Sequence, residues 1–139
     1  MKYQIFALFF VLVFTSIAFA QTDGINIIPK PQSVKLGKGS FSLSKSTKII
    51  ALGENGRRMA ILLNIVLKNN YGFVLKVKTS LDTKDSILLC SINMAAPVGG
   101  EKDIYLLTID SHSISILGSD SGLYYGLQSL LQLLPATFD

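Results

Sequence analysis

The stretch that most constrains this chain is Gly118 to Leu134, GSDSGLYYGLQSLLQLL. Leu123, Leu127, Leu130, Leu131 and Leu134 recur at i, i+4, i+7, i+8 and i+11, which puts them on one face of an α-helix. Ser119 or Asp120 can cap its N-terminus by accepting an orphan backbone N–H. Pro135 stops it, because the residue before a proline is pushed out of the α region. An apolar stripe this continuous has to be covered, and the strands just upstream are the nearest cover. A domain in which helices lie on a sheet is therefore required.

The first twenty residues are set apart. Met1 and Lys2 precede an apolar run from Ile5 to Phe14, and Ser16-Ile17-Ala18-Phe19-Ala20 closes it. A positive start, a short apolar core and an A-x-A ending describe a secretory signal peptide cleaved after Ala20. An uncleaved anchor fits less well, because the run is short for a bilayer. No cysteine follows it to carry a lipid anchor. Removal of 20 residues from 139 leaves 119, enough for one domain with a core. Export to the periplasm, cell surface or medium is the expected destination, with membrane contact only through the signal.

With Lys2 gone, 12 of the 13 basic residues remain against 9 acidic ones. They are scattered, with no basic stripe and no interleaved aromatics, so no nucleic-acid footprint is present. The single cysteine, Cys90, excludes an internal disulfide. Its setting, Ile87-Leu88-Leu89-Cys90-Ser91-Ile92, predicts a small buried hydrophobe.

Along the mature chain, Pro29 and Pro31 exclude residues 21–32 from any central strand. Short strands are predicted at Ser33–Leu36 and Ser40–Leu43, around Gly37-Lys38-Gly39, and another at Lys48–Leu52. A first helix is predicted over Asn55–Asn70. Met59, Leu62, Leu63, Val66 and Leu67 form its stripe; Ala60, Ile61 and Ile65 widen it; Arg57, Asn64 and Lys68 mark the wet side. So wide a stripe calls for burial against more than one surface. Gly72 ends the helix as a left-handed residue. Strands follow at Phe73–Val77, Ser86–Ile92, Ile104–Asp110 and Ser113–Leu117, the last two joined at Ser111-His112. This order predicts an α+β domain with an antiparallel or mixed sheet and both helices on one face.

Chemistry is scarce. His112 is the only histidine and falls in a turn, and no Cys/His spacing supports zinc. There is no G-x-S-x-G elbow and no P-loop. Gly118-Ser119-Asp120-Ser121-Gly122 could hold an anion at a helix start, but lacks a phosphate-binding lysine. No Asp-Glu pair sits at a strand end. The residues thus offer no catalytic, cofactor-binding or metal-binding set, and an exported accessory domain is the reading they support.

Two stretches are more specific. Ile27-Ile28-Pro29-Lys30-Pro31 followed by Gly39-Ser40-Phe41-Ser42-Leu43 resembles the opening of the non-catalytic N-terminal domain of family 20 glycoside hydrolases, the β-N-acetylhexosaminidases. Tyr105–Ile109, Ile114-Ser115-Ile116, Gly118 and Gly122-Leu123-Tyr124-Tyr125-Gly126-Leu127-Gln128-Ser129-Leu130-Leu131-Gln132-Leu133-Leu134 are similar to its end, a hairpin leading into a G-x-x-Y-G-x-Q-(S/T)-L-x-Q-L helix. The resemblance implies an antiparallel-rich sheet over two roughly parallel helices, which lie between the sheet and a following (β/α)8 barrel. In that family the barrel carries an Asp-Glu pair acting on terminal N-acetylglucosamine or N-acetylgalactosamine, with the substrate's own acetamido group as nucleophile. No residue here matches that pair, so no catalytic residue carries over and no cofactor is implied. On this reading residues 1–20 are the signal, 21–134 the accessory domain and 135–139 the start of a linker. The barrel of the same parent chain is the implied partner, and the parent's substrates are glycans ending in those sugars. Tyr124, Tyr125, Gly126 and Gln128 are implied packing and barrel-interface residues.

A free-standing carbohydrate-binding or protein-interaction module is the alternative. It would need an aromatic platform, yet there is no Trp, and Tyr3, Phe6, Phe9, Phe10, Phe14 and Phe19 lie in the signal. An independent small hydrolase would need a catalytic set that is missing. The accessory-domain reading carries a structural expectation: an apolar patch left bare on the outer side of the helices.

Overall fold

A computed structural model describes residues 25–80, 82–92 and 103–136. The signal segment, the whole glycine-containing connection at 97–102 and the last three residues lie outside that range. The described elements run β1 (Lys48–Leu52), α1 (Gly53–Tyr71), β2 (Lys76–Lys78), β3 (Ser86–Ser91), β4 (Tyr105–Ile109), β5 (Ser113–Gly118) and α2 (Asp120–Leu133). The expected α+β composition, with one sheet and two helices, is what they form.

The five strands lie in the order β2-β1-β3-β5-β4. β1 pairs parallel with β2 and with β3, β3 pairs parallel with β5, and only β4 and β5 run antiparallel. The sheet is therefore mixed, and the antiparallel-rich sheet implied by the resemblance is corrected. The reason is physical. A hairpin leaves a local signature in its turn, and the β4–β5 hairpin leaves one at Ser111-His112. Parallel neighbours are joined by crossovers and share no turn. Their mark is a strand apolar on both faces, which Ile49-Ile50-Ala51 carries: all three side chains are buried.

Register aligns two apolar rows across the sheet. Ile49, Ile87 and Ile114 are partners in one, and Ala51, Leu89 and Ile116 in the next, extended by Leu107 opposite Ile116. Against these rows pack Ala60, Leu63 and Leu67 of α1 and Leu123, Leu127 and Leu130 of α2, in a single core. Both helices therefore cover the same face. Each starts at the carboxyl end of a strand, β1 and β5, that share one direction, and the two helices also contact each other.

Helix ends fall within two residues of expectation. Gly72 sits at φ +75° and its N–H donates to the Lys68 carbonyl at 3.0 Å, closing α1. At the start of α2, Ser119 is the cap: its Oγ accepts from the Gly122 N–H at 3.1 Å.

Three expectations are corrected. Residues 33–43 form no strand; Val34 and Leu36 are exposed, and the segment is held to the core through half-buried Phe41 and Leu43. The strand expected at Phe73–Val77 is shortened to Lys76–Lys78, because Leu75 spends its backbone groups on a side chain instead of a neighbouring strand. Asn64 is that side chain: its Nδ2 donates to the Leu75 carbonyl at 3.0 Å and its Oδ1 accepts from the Leu75 N–H at 2.8 Å. Asn64 is thus half-buried and structural, not part of the wet face of α1.

Candidate docking face

α2 approaches the sheet unusually closely, and two glycines make that possible. A Cβ on Gly122 would lie 1.9 Å from the Ile104 carbonyl oxygen; one on Gly126 would lie 2.4 Å from Ile116 Cγ2 and 3.0 Å from the Tyr105 ring. The Tyr105 hydroxyl shares a hydrogen bond of 2.7 Å with buried Ser129 Oγ, one turn further on. The face of α2 carrying Gly122, Gly126 and Ser129 is consequently consumed by β4 and β5. Tyr124 and Tyr125 are left on the other side, exposed, with ring centroids 5.7 Å apart in an edge-to-face arrangement.

α1 divides in the same way. Ala60, Leu63 and Leu67 are buried, whereas Ile61 is 61% exposed and Ile65 is 50% exposed. Those two isoleucines are one helical turn apart, so they stand side by side on the surface. The wide stripe read from sequence is thus two stripes, one used by the sheet and one bare. Exposed apolar side chains thus stand on the outward side of both helices, Ile61 and Ile65 on α1 and Tyr124 and Tyr125 on α2.

The polar groups do structural work. In the β4–β5 turn, Asp110 Oδ1 accepts from the N–H groups of His112 at 2.7 Å and Ser113 at 2.8 Å. These backbone bonds are the main reason its carboxyl is held below the ordinary carboxylate range. His112 is exposed in that turn, with Nδ1 2.8 Å from Ser111 Oγ. Asp120, in the first turn of α2, accepts from Ser91 Oγ and from Asn55, and both bonds lower its pKa, Ser91 more. Ser121 Oγ bonds Asp103.

The suggested anion site at Gly118–Gly122 is occupied by the protein itself. The Ser119 N–H donates to the Ile104 carbonyl, the Gly122 N–H to Ser119 Oγ and the Leu123 N–H to the Ser119 carbonyl, while the Asp120 carboxylate adds negative charge. Cys90 is half-buried, less enclosed than expected, and its thiol lies 3.6 Å from the Ser91 carbonyl. Among the described residues, no group of three or more His, Cys, Asp or Glu could hold a metal ion, and no helix is long and apolar enough to cross a membrane.

Sequence reasoning did not find a second clamp like that of Asn64. At the end of α2, Gln132 Oε1 accepts from the Ile28 N–H at 2.9 Å, and its Nε2 donates to the Ile28 carbonyl at 2.8 Å. Nearby, the Tyr71 hydroxyl at the end of α1 donates to the Pro135 carbonyl at 2.6 Å. Gln132 and Ile28 belong to the two motifs that carried the family resemblance, and the fold brings those motifs into direct contact. Only that shared motif content could have hinted at it.

Comparison with known proteins follows the same line. The sequence profile described as glycosyl hydrolase family 20, domain 2, matches residues 24–138. A Beta-hexosaminidase of Porphyromonas gingivalis is 32% identical over 114 residues, covering 81% of this chain and 14% of that protein. The GH20 beta-N-acetylhexosaminidase of Streptomyces coelicolor A3(2) superposes with a TM-score of 0.65 at 29% identity, over 78% of this chain and 21% of that one. The N-acetyl-beta-hexosaminidase of Streptomyces plicatus, solved with Thio-NAglucal, gives 0.62 at 27% identity, over 78% of this chain and 21% of the other. The chain therefore spans about one seventh of the curated relative and one fifth of these solved ones.

Proposed function

The chain belongs to glycosyl hydrolase family 20, domain 2, and on that premise we propose that it is the exported, non-catalytic accessory domain of a β-N-acetylhexosaminidase. Its work is to seat a catalytic (β/α)8 barrel of the same polypeptide against the outer side of α1 and α2. The barrel would remove terminal non-reducing N-acetylhexosamine from glycans by substrate-assisted hydrolysis. Residues 1–20 would direct export and be cleaved after Ala20, and 135–139 would begin the linker.

The observation that carries this reading is the bare apolar side of the helices, Ile61 and Ile65 on α1 with Tyr124 and Tyr125 on α2. Ile61 and Ile65 adjoin by one helical turn and Tyr124 and Tyr125 meet each other, and exposed apolar groups of this kind mark interaction surfaces. The tyrosines meet edge to face and so present no flat platform for a sugar ring, which weighs against a free-standing carbohydrate-binding module. The test is direct. The purified chain is expected to show no turnover of a chromogenic N-acetylglucosaminide and no saturable binding of N-acetylglucosamine oligomers. Turnover would contradict the non-catalytic role; saturable binding would favour the module.

A further inference from the structure

The structure uses one device twice, with opposite results. Asn64 takes both backbone groups of Leu75, and Leu75 is buried, at 3% exposure. Gln132 takes both backbone groups of Ile28, yet the Ile28 side chain is 82% exposed, more than any other large hydrophobic residue described. The Gln132 amide is itself steadied by a third bond, from Nε2 to the Gln128 carbonyl at 3.2 Å. Fixing a backbone costs conformational entropy. In the first clamp, burial of Leu75 offsets that cost. In the second, nothing among the described residues covers the side chain being held.

We propose that Ile28 is a preorganised anchor, presented by Gln132, for the catalytic domain that follows in the same polypeptide. This rests on the docking reading above and adds to it a contact that the helices do not supply. The occupant is fixed by chain geometry. Pro135, three residues beyond Gln132, is tied by Tyr71 at the ends of both helices, so the chain leaves α2 three residues after the side chain that holds Ile28. Leu133, also exposed, lies next to Gln132. An apolar side chain immobilised before contact loses less entropy on docking than a mobile one, which is how a single residue can act as an anchor.

The experiment uses this chain alone and a chimera in which it replaces the region it matches in the Porphyromonas gingivalis Beta-hexosaminidase. Ile28→Ser is expected to leave the thermal midpoint of the isolated chain unchanged and to lower that of the chimera by about 3 °C or more. Gln132→Leu, with Ile28 intact, is expected to lower the chimera too, and to speed amide exchange at Ile28 at least tenfold in the isolated chain. A control pair, Ile61→Gln with Ile65→Gln, reads helix docking separately. If the control lowers the chimera and Ile28→Ser does not, the anchor is wrong and docking through the helices stands. If both are silent, the docking reading fails with it. An equal loss in the isolated chain would make Ile28 a structural residue and overturn the anchor.

Discussion

At the scale of single residues, two constraints can be tested by small changes. Gly126→Ala would place a methyl group against Ile116 Cγ2 and the Tyr105 ring. Alanine favours a helix by about 1 kcal/mol over glycine, but overpacking a β-branched core residue costs about 1–3 kcal/mol. Net destabilisation is expected, read as an earlier urea midpoint at unchanged slope. Ser119→Ala removes the N-cap of α2 and is expected to cost about 1 kcal/mol. Among the described residues, Asp110 and Asp120 contribute to the acid side of the stability profile. Both have folded pKa values below the ordinary 3.8, so their contribution is complete above 3.8 and is lost as pH falls through the lowered values. Asp110→Asn, which keeps one acceptor oxygen, should flatten stability between pH 4 and 2 relative to the parent, measured by urea unfolding at each pH.

At the scale of elements, legibility follows from how local the cause is. α1 and α2 were readable because stripe and stop lie within or beside the segment, and α2 carries its cap, Ser119, as well. Gly72 and Pro135 ended them where expected. The β4–β5 hairpin was readable from its turn. The three parallel pairings were not, since nothing in Lys48–Leu52 names Ser86–Ser91 as its partner. Asn64 misled because a polar residue on a helix reads as solvated, whereas its amide replaces a strand for Leu75. Asn64→Leu should therefore destabilise more than a surface change, by about 1–3 kcal/mol, through the unsatisfied Leu75 N–H and carbonyl. Asn70→Leu, at an exposed position of the same helix, should stay within about 0.5 kcal/mol.

At the scale of the whole molecule, the same sheet face buries two helices whose opposite sides keep exposed apolar side chains, Ile61 and Ile65 on α1 and Tyr124 and Tyr125 on α2. The first helix announced this in sequence, because its apolar residues cover more of its circumference than one sheet can bury. The direction in which the chain leaves was not legible. It depends on contacts between the helix ends and distant backbone, Tyr71 with Pro135 and Gln132 with Ile28, which no local pattern encodes. If the outer helical side is an interface, the isolated domain has to satisfy it some other way. The most direct measurement is sedimentation velocity of residues 21–139 over a concentration series, with Ile61→Gln/Ile65→Gln alongside. Concentration-dependent self-association that the double variant abolishes is the expected result. A monomer at every concentration, indistinguishable from the variant, would contradict it.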